Sequence, residues 1–322
     1  MAYVGLQSQI RRNNFSSGLL LVLFPVVLLA LSFLFFYLLA HFSGSAENIP
    51  YPVPAKEQAV QNFVRAAPLI IGCTVIWFLI AYFANTAMIQ AATGSHPLER
   101  TENKRVYNLV ENLCISQGIP MPKINVIEDD SLNAFASGIN RSTYTVSLSR
   151  GIMNRLNDDE LEGVIAHELT HIQHRDVRLL IISVVFVGIF AFLAQTALHS
   201  LRFASLSRGS RRDNQGSALL MMILVMVLAF VGYMIATLLR FAISRKREYM
   251  ADAGAAQMTR NPHALASALR RISGDPAIEA VTRADVAQMF IENPAAAGKA
   301  SFSTLFATHP PITERIRILE QF

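Results

Sequence analysis

The stretch that decides the reading runs Asn157-Asp158-Asp159-Glu160-Leu161-Glu162-Gly163-Val164-Ile165-Ala166-His167-Glu168-Leu169-Thr170-His171. Asn157 is placed to cap a helix, and Glu160 at the third helical position completes a capping box. Leu161, Val164, Ile165 and Ile172 recur at helical spacing, which predicts one buried face. His167 and His171 lie four residues apart, so both imidazoles project from one side of that helix and can bind one ion. Glu168 sits beside them, off the apolar contacts, where it can reach a water on the ion. Zinc held by neutral imidazoles lowers the pKa of such a water, and a carboxylate can then take its proton. The plainer reading is a surface helix that carries three polar residues.

A catalytic zinc of this kind needs a third protein ligand and one open position. Arg247-Glu248-Tyr249-Met250-Ala251-Asp252 offers Glu248 as the best candidate. Glu248 and Asp252 are again four apart on a predicted helix, so one can bind metal while the other accepts a hydrogen bond from a ligand histidine and sets its tautomer. Alternatively, Glu248 belongs to a solvated juxtamembrane helix and pairs with Arg245 or Lys246.

Outward from these motifs the chain is apolar. Of its 322 residues 52% are hydrophobic and only 16% charged, with a mean hydropathy of +0.35. A soluble domain carries about a quarter charged residues. The deficit concentrates in four runs, Gly18 to Ala40, Ala66 to Met88, Leu179 to Leu198 and Ala218 to Leu239, each long enough to cross a bilayer. The net charge of +5 is modest and no basic stripe is interleaved with aromatics, which gives nucleic-acid binding no support. The two cysteines, Cys73 in an apolar run and Cys114 in a polar segment, make neither a disulfide framework nor a metal site. The first run exceeds the core of a cleaved signal peptide and reads as a retained anchor. Arg11 and Arg12 before it place the amino terminus on the cytoplasmic side.

Between the runs, Thr93 to Asp176 reads as a mixed α/β unit. Pro97 opens a helical pattern that stops at Gly118. Lys123 to Glu128 and Ser142 to Ser149 read as short strands, with Asn133 to Gly138 an edge strand or turn between them. A helix continues from Phe241 through Met258, another runs from Asn261-Pro262 to near Gly274, and a last one follows Pro310-Pro311. Asp275 to Ala300 gives no clear pattern.

The two motifs, His167-Glu168-Leu169-Thr170-His171 and Glu248-Tyr249-Met250-Ala251-Asp252, together resemble the gluzincin metallopeptidases, specifically the HtpX/CAAX-protease family of membrane peptidases. His174-Arg175-Asp176 is similar to the end of that family's active-site helix. Asn133-Ala134-Phe135-Ala136 with Gly138 looks like its substrate-side strand. Thr308-His309-Pro310-Pro311 with Glu314-Arg315-Ile316 is similar to its carboxy-terminal signature. The resemblance covers nearly the whole chain. It implies a multi-pass α-helical membrane protein with a mainly helical, zincin-like α+β peptidase domain carrying a small β-sheet. Residues 1–92 would be a two-span membrane region, 93–177 the first part of the peptidase domain, 178–240 an apolar hairpin and 241–322 the second part.

The same resemblance implies one zinc ion held by His167, His171 and Glu248, with Glu168 as general base. It makes His309 a donor to the oxyanion, or else a helix-entry residue before Pro310-Pro311. Asn133, Ala134, Phe135 and Ala136 would pair with an extended peptide by strand addition, and Arg315 would form a structural ion pair. The implied activity is hydrolysis of misfolded or membrane-associated polypeptides at the cytoplasmic face of a bacterial inner membrane, in protein quality control and stress response. The alternatives are a CAAX-type prenyl-protein endopeptidase and a non-catalytic membrane zinc-binding scaffold. An intramembrane protease is disfavoured, because its zinc helix should be apolar and this one begins Asn157-Asp158-Asp159-Glu160.

One conflict stands. The third and fourth runs must leave and return on the same side if Glu248 is to meet the histidines. Their connecting loop, with Arg202, Arg208, Arg211 and Arg212 against Asp213, then lies on the side that positive-inside bias disfavours.

Overall fold

The computed structural model describes residues 6–42, 53–182, 188–190, 192–193, 195–196, 215–274, 290–291 and 310–322. The elements, in chain order, are α1 (Leu6–Phe42), α2 (Ala55–Thr93), β1 (His96–Pro97), α3 (Lys104–Gln117), β2 (Lys123–Ile127), β3 (Ala134–Ser137), β4 (Thr145–Ser149), α4 (Arg150–Arg155), α5 (Asp158–His174), α6 (Gln215–Thr259), α7 (Pro262–Gly274) and α8 (Ile312–Leu319). They form two compact units. One comprises Met1–Ser17, Tyr82–Val184 and Arg240–Phe322, the other Gly18–Ala81 and Val185–Leu239.

In the second unit the first, second and fourth apolar runs are helical. Ile10–Phe42 and Ala55–Thr93 are long and apolar enough to cross a membrane; the first leaves Val22 and Val26 exposed and the second Leu69 and Ile76. Helices of this kind satisfy their own backbone groups, so only the side chains need match the lipid. The shorter apolar stretch Met221–Ile235 lies on α6. Much of the third run, and the arginine-bearing loop after it, falls outside the described residues.

The first unit holds a four-stranded sheet in the order β1-β2-β4-β3. β2 and β4 run parallel, while β3 pairs antiparallel to β4 and forms one edge. β2 and β4 are covered on both faces, which explains Val126, Val146 and Leu148 being fully buried along with Asn125 and Ser147. The helix expected from Pro97 begins at Lys104 instead. Pro97 lies in β1, where its missing N–H is harmless at an edge. Asn103 accepts a hydrogen bond from Val106 N and starts α3, and Gly118, with φ 63°, ends it in the left-handed region.

The core lies between the sheet and the helices. Val106, Val110 and Leu113 of α3, Leu161, Val164, Ile165 and Leu169 of α5, and Leu265, Leu269 and Ile272 of α7 meet there. Each such side chain contributes about 1.5–3 kcal/mol by leaving water. α5 packs on α3, α7 and β3 and is covered nearly all round from Glu160 to Thr170. It is therefore a core helix with polar residues on it. Buried polar groups are tolerated only when they are partnered, so the partners of His167 and Glu168 define the site.

Candidate active site

The capping box that starts α5 is made as expected: Asn157 Oδ1 accepts from Glu160 N at 2.9 Å and Glu160 Oε2 accepts from Asn157 N at 3.1 Å. Ten residues after its cap, Asn157, the helix presents His167, wholly buried, and one turn later His171. Their Nε2 atoms face each other at 3.1 Å. Glu248, carried in by α6, puts Oε2 3.6 Å from His167 Nε2 and Oε1 3.7 Å from His171 Nε2. One donor atom from each of these three residues lies within 4.8 Å of the other two.

Each histidine is backed by a carboxylate. Asp252 Oδ1 is 3.0 Å from His167 Nδ1, and Asp176 Oδ2 is 3.1 Å from His171 Nδ1. Each carboxylate is held in turn. Arg315, wholly buried, donates from Nε and Nη2 to the two oxygens of Asp252 at 2.9 and 2.7 Å. Asn13 donates from Nδ2 to Asp176 Oδ1 at 2.6 Å. Burial by itself would raise the pKa of both aspartates. Arg315 and His167 beside Asp252, and His171 and Arg247 beside Asp176, outweigh it and hold both below the ordinary carboxylate range.

Glu168 behaves in the opposite way. Its burial, reinforced by Glu248, pushes its pKa up, although the two histidines and a backbone hydrogen bond from Ala136 work against this. A carboxyl group poised to exchange a proton suits general base catalysis.

α5 and α6 approach closely at one point. Gly254 of α6 lies against Thr170, so close that a Cβ there would fall 2.9 Å from Thr170 Oγ1. Thr170 separates the two histidines in sequence; in the structure it is the surface on which the helix bearing Glu248 rests.

The edge strand β3 runs beside α5. Asn133 O accepts from Ser149 N, so that residue pairs inward, toward β4. Ala134 and Ala136 turn their backbone groups outward. Ala134 O accepts from Ile291 N at 2.8 Å, and Ala136 serves Glu168. The Phe135 ring is buried against Phe290 with centroids 4.7 Å apart. Ile291 O in turn accepts from Arg315 Nη1 at 3.2 Å. His309 lies outside the described residues.

The residues present suit a bound divalent metal, since two imidazoles and a carboxylate make a borderline-soft donor set. The geometry adds a second reason. With both Nδ1 atoms facing carboxylates, each Nε2 offers a lone pair, and two lone pairs 3.1 Å apart repel unless a proton or cation lies between them. Burial opposes charge on His167, yet Asp252 and Glu248 overcome it and raise its pKa.

The profile of Peptidase family M48 matches residues 100–322, which include every one of these side chains except Asn13. The chain belongs to that family. A Bacteroides fragilis protein named Protease HtpX homolog is 61% identical over 100% of both chains. A Lactobacillus helveticus protein of the same name is 34% identical over 98% of this chain and 99% of its own. The solved structure of S. mikatae Ste24p has a TM-score of 0.47, with 18% identity over 78% of this chain and 57% of that one. As an M48 peptidase the chain is a membrane zinc-dependent metalloendopeptidase and acts on polypeptides. Three of the M48 peptidase's outer contacts have no local pattern in the sequence: Asp176, Asn13 and the Arg315–Asp252 pair. Asp176 stands five residues after His171, off the helical face, and reaches back only because Arg175 turns left-handed at φ 60°.

Proposed function

We propose that the chain is a protein quality-control endopeptidase of HtpX type. It cleaves misfolded or membrane-associated polypeptides at the cytoplasmic face of a bacterial inner membrane and crosses that membrane more than twice. His167, His171 and Glu248 hold one zinc ion, and Asp252 orients His167. The observation that carries this reading is the convergence of the two Nε2 atoms, each ring fixed by a carboxylate, on the carboxylate of Glu248.

Held by His167, His171 and Glu248, zinc would supply Lewis acidity, lowering the pKa of an attacking water and polarising the scissile carbonyl. The remaining work falls to the chain. Glu168, buried and with its pKa raised, takes the proton of the attacking water and delivers it to the departing amine, so that one water is consumed per bond broken. The fixed rings of His167 and His171 cannot turn away, which keeps the site pre-organised. β3, as an edge strand, offers its outer side to an extended peptide, which would displace Ile291 at Ala134 or pair beyond it. His309 would supply a donor to the developing oxyanion.

The test is Glu168→Gln in the full chain in detergent, with casein as substrate and metal analysis alongside. The variant should retain one zinc per chain while cleavage falls about 10²–10⁴-fold. Wild-type cleavage by that variant defeats the mechanism. Glu248→Ala should lose zinc; normal retention would remove Glu248 from the site.

A further inference from the structure

The two ligand histidines are held by similar devices, but the outermost parts come from different ends of the chain. On the His167 side the final donor is Arg315 of α8. On the His171 side it is Asn13, 5% exposed, two turns into α1 and ahead of the apolar run. Its amide group makes two hydrogen bonds. One goes to the carbonyl of His174 at 2.9 Å, among the last-turn carbonyls of α5 that the helix itself leaves unpaired. The other goes to Asp176 Oδ1 at 2.6 Å, while Oδ2 of the same carboxylate faces His171 Nδ1 at 3.1 Å.

With both oxygens engaged, the Asp176 carboxylate cannot rotate, and neither can the imidazole behind it. Without Asn13, the carboxylate would have one oxygen buried and unpaired, free to turn toward Arg247 or toward His174, whose Nδ1 lies 3.9 Å from Oδ2. The end of α5 would lose its carbonyl partner at the same time.

We propose that Asn13 is a positioning residue of the metal centre. It fixes Asp176 and, through it, the ring of His171, so that the amino-terminal helix completes the outer layer of the site. This inference rests on the reading of His171 as a metal ligand given above. Asn14, its neighbour, accepts instead from the Arg175 side chain at the exposed surface and touches neither Asp176 nor His174 through any hydrogen bond among the described residues.

The experiment measures zinc dissociation constants by chelator competition on the full chain in detergent. Removing an outer partner of a metal ligand weakens binding about 10–100-fold, and Asn13→Ala should fall in that range while Asn14→Ala binds as wild type. Asp176→Asn should show a similar loss, and adding Asn13→Ala to it should cause no further loss, because the path has already been cut. At saturating zinc, Asn13→Ala should lower kcat for a peptide and leave KM unchanged. Wild-type zinc affinity in Asn13→Ala, or losses that multiply in the double variant, overturns the proposal. So does collapse of the metal-free Asn13→Ala protein in a thermal melt, which would assign Asn13 to the fold. His171→Ala separates the two readings: if it keeps its zinc, the ligand assignment fails; if it loses zinc while Asn13→Ala does not, only this inference fails.

Discussion

Gly254 lies on α6 two residues after Asp252 and six after Glu248, where that helix rests on Thr170 of α5. A methyl group added there would sit 2.9 Å from Thr170 Oγ1 and 3.2 Å from its Cβ, with Cγ2 nearer still. Ordinary carbon contacts begin at about 3.5 Å, so the helices must part by roughly 1 Å or Thr170 must abandon its rotamer. Overpacking of this kind costs about 1–3 kcal/mol. Alanine returns up to about 1 kcal/mol of helix propensity relative to glycine. The net loss of fold stability in Gly254→Ala is therefore about 0–2 kcal/mol, a small shift in melting temperature. Metal binding has no such offset, because the bound and metal-free chains carry the same helix. The displacement acts on the spacing between Glu248 and the histidine pair, and metal–ligand distances tolerate only about 0.2 Å. If the full strain opposes closure on the metal, zinc affinity drops by about 5–150-fold. Chelator competition reads the loss, with a thermal melt of the metal-free protein as control. Adding Thr170→Ala removes Oγ1 and Cγ2 and should recover most of the affinity. Wild-type zinc affinity in Gly254→Ala, or no recovery in the double variant, would refute the idea that this contact sets the ligand spacing.

Two other outcomes are expected. Arg315→Met leaves the buried carboxylate of Asp252 without its bidentate partner, and losing one member of a buried pair costs about 3–5 kcal/mol. Denaturant unfolding of the metal-free protein at pH 7 measures it. Because Asp252 is held below its ordinary pKa of 3.8, that contribution is present in full above this value and vanishes as pH falls through the lowered one; a variant as stable as wild type at pH 7 would contradict it. Burial pushes the Cys114 thiol up to about 11, so at pH 8 only about one molecule in a thousand is thiolate, against about a quarter for an ordinary cysteine. Iodoacetamide at pH 8 should spare Cys114 in the folded protein and modify it after denaturation, as read by peptide mass. Labelling of the folded chain at the rate of a free thiol would show that the core around α3 opens.

How much was legible from sequence depended on how far each contact reaches along the chain. The capping box at Asn157 and Glu160, the pair His167 and His171, and the pair Glu248 and Asp252 all lie within one helical turn, where a spacing of three or four residues translates directly into a shared face. The strand at Lys123 was equally local. Pro97 misled because its features suit a helix start and an edge strand alike, and pairing with β2 chose between them. Where β3 would lie was open as well, since an edge is defined by what fails to pair with it.

The sequence by itself determined the chemistry: two imidazoles, a neighbouring carboxylate, a candidate third ligand, and apolar helices that need a membrane. Only the tertiary structure decided what holds that chemistry in place. Asn13 meets Asp176 across 163 positions and Arg315 meets Asp252 across 63. No periodicity encodes such pairs, because they depend on how α1, α5, α6 and α8 pack, and packing is a property of the whole core. The same holds for Thr170, a spacer within the histidine motif, which becomes the contact that lets a glycine-bearing helix bring Glu248 to the histidines.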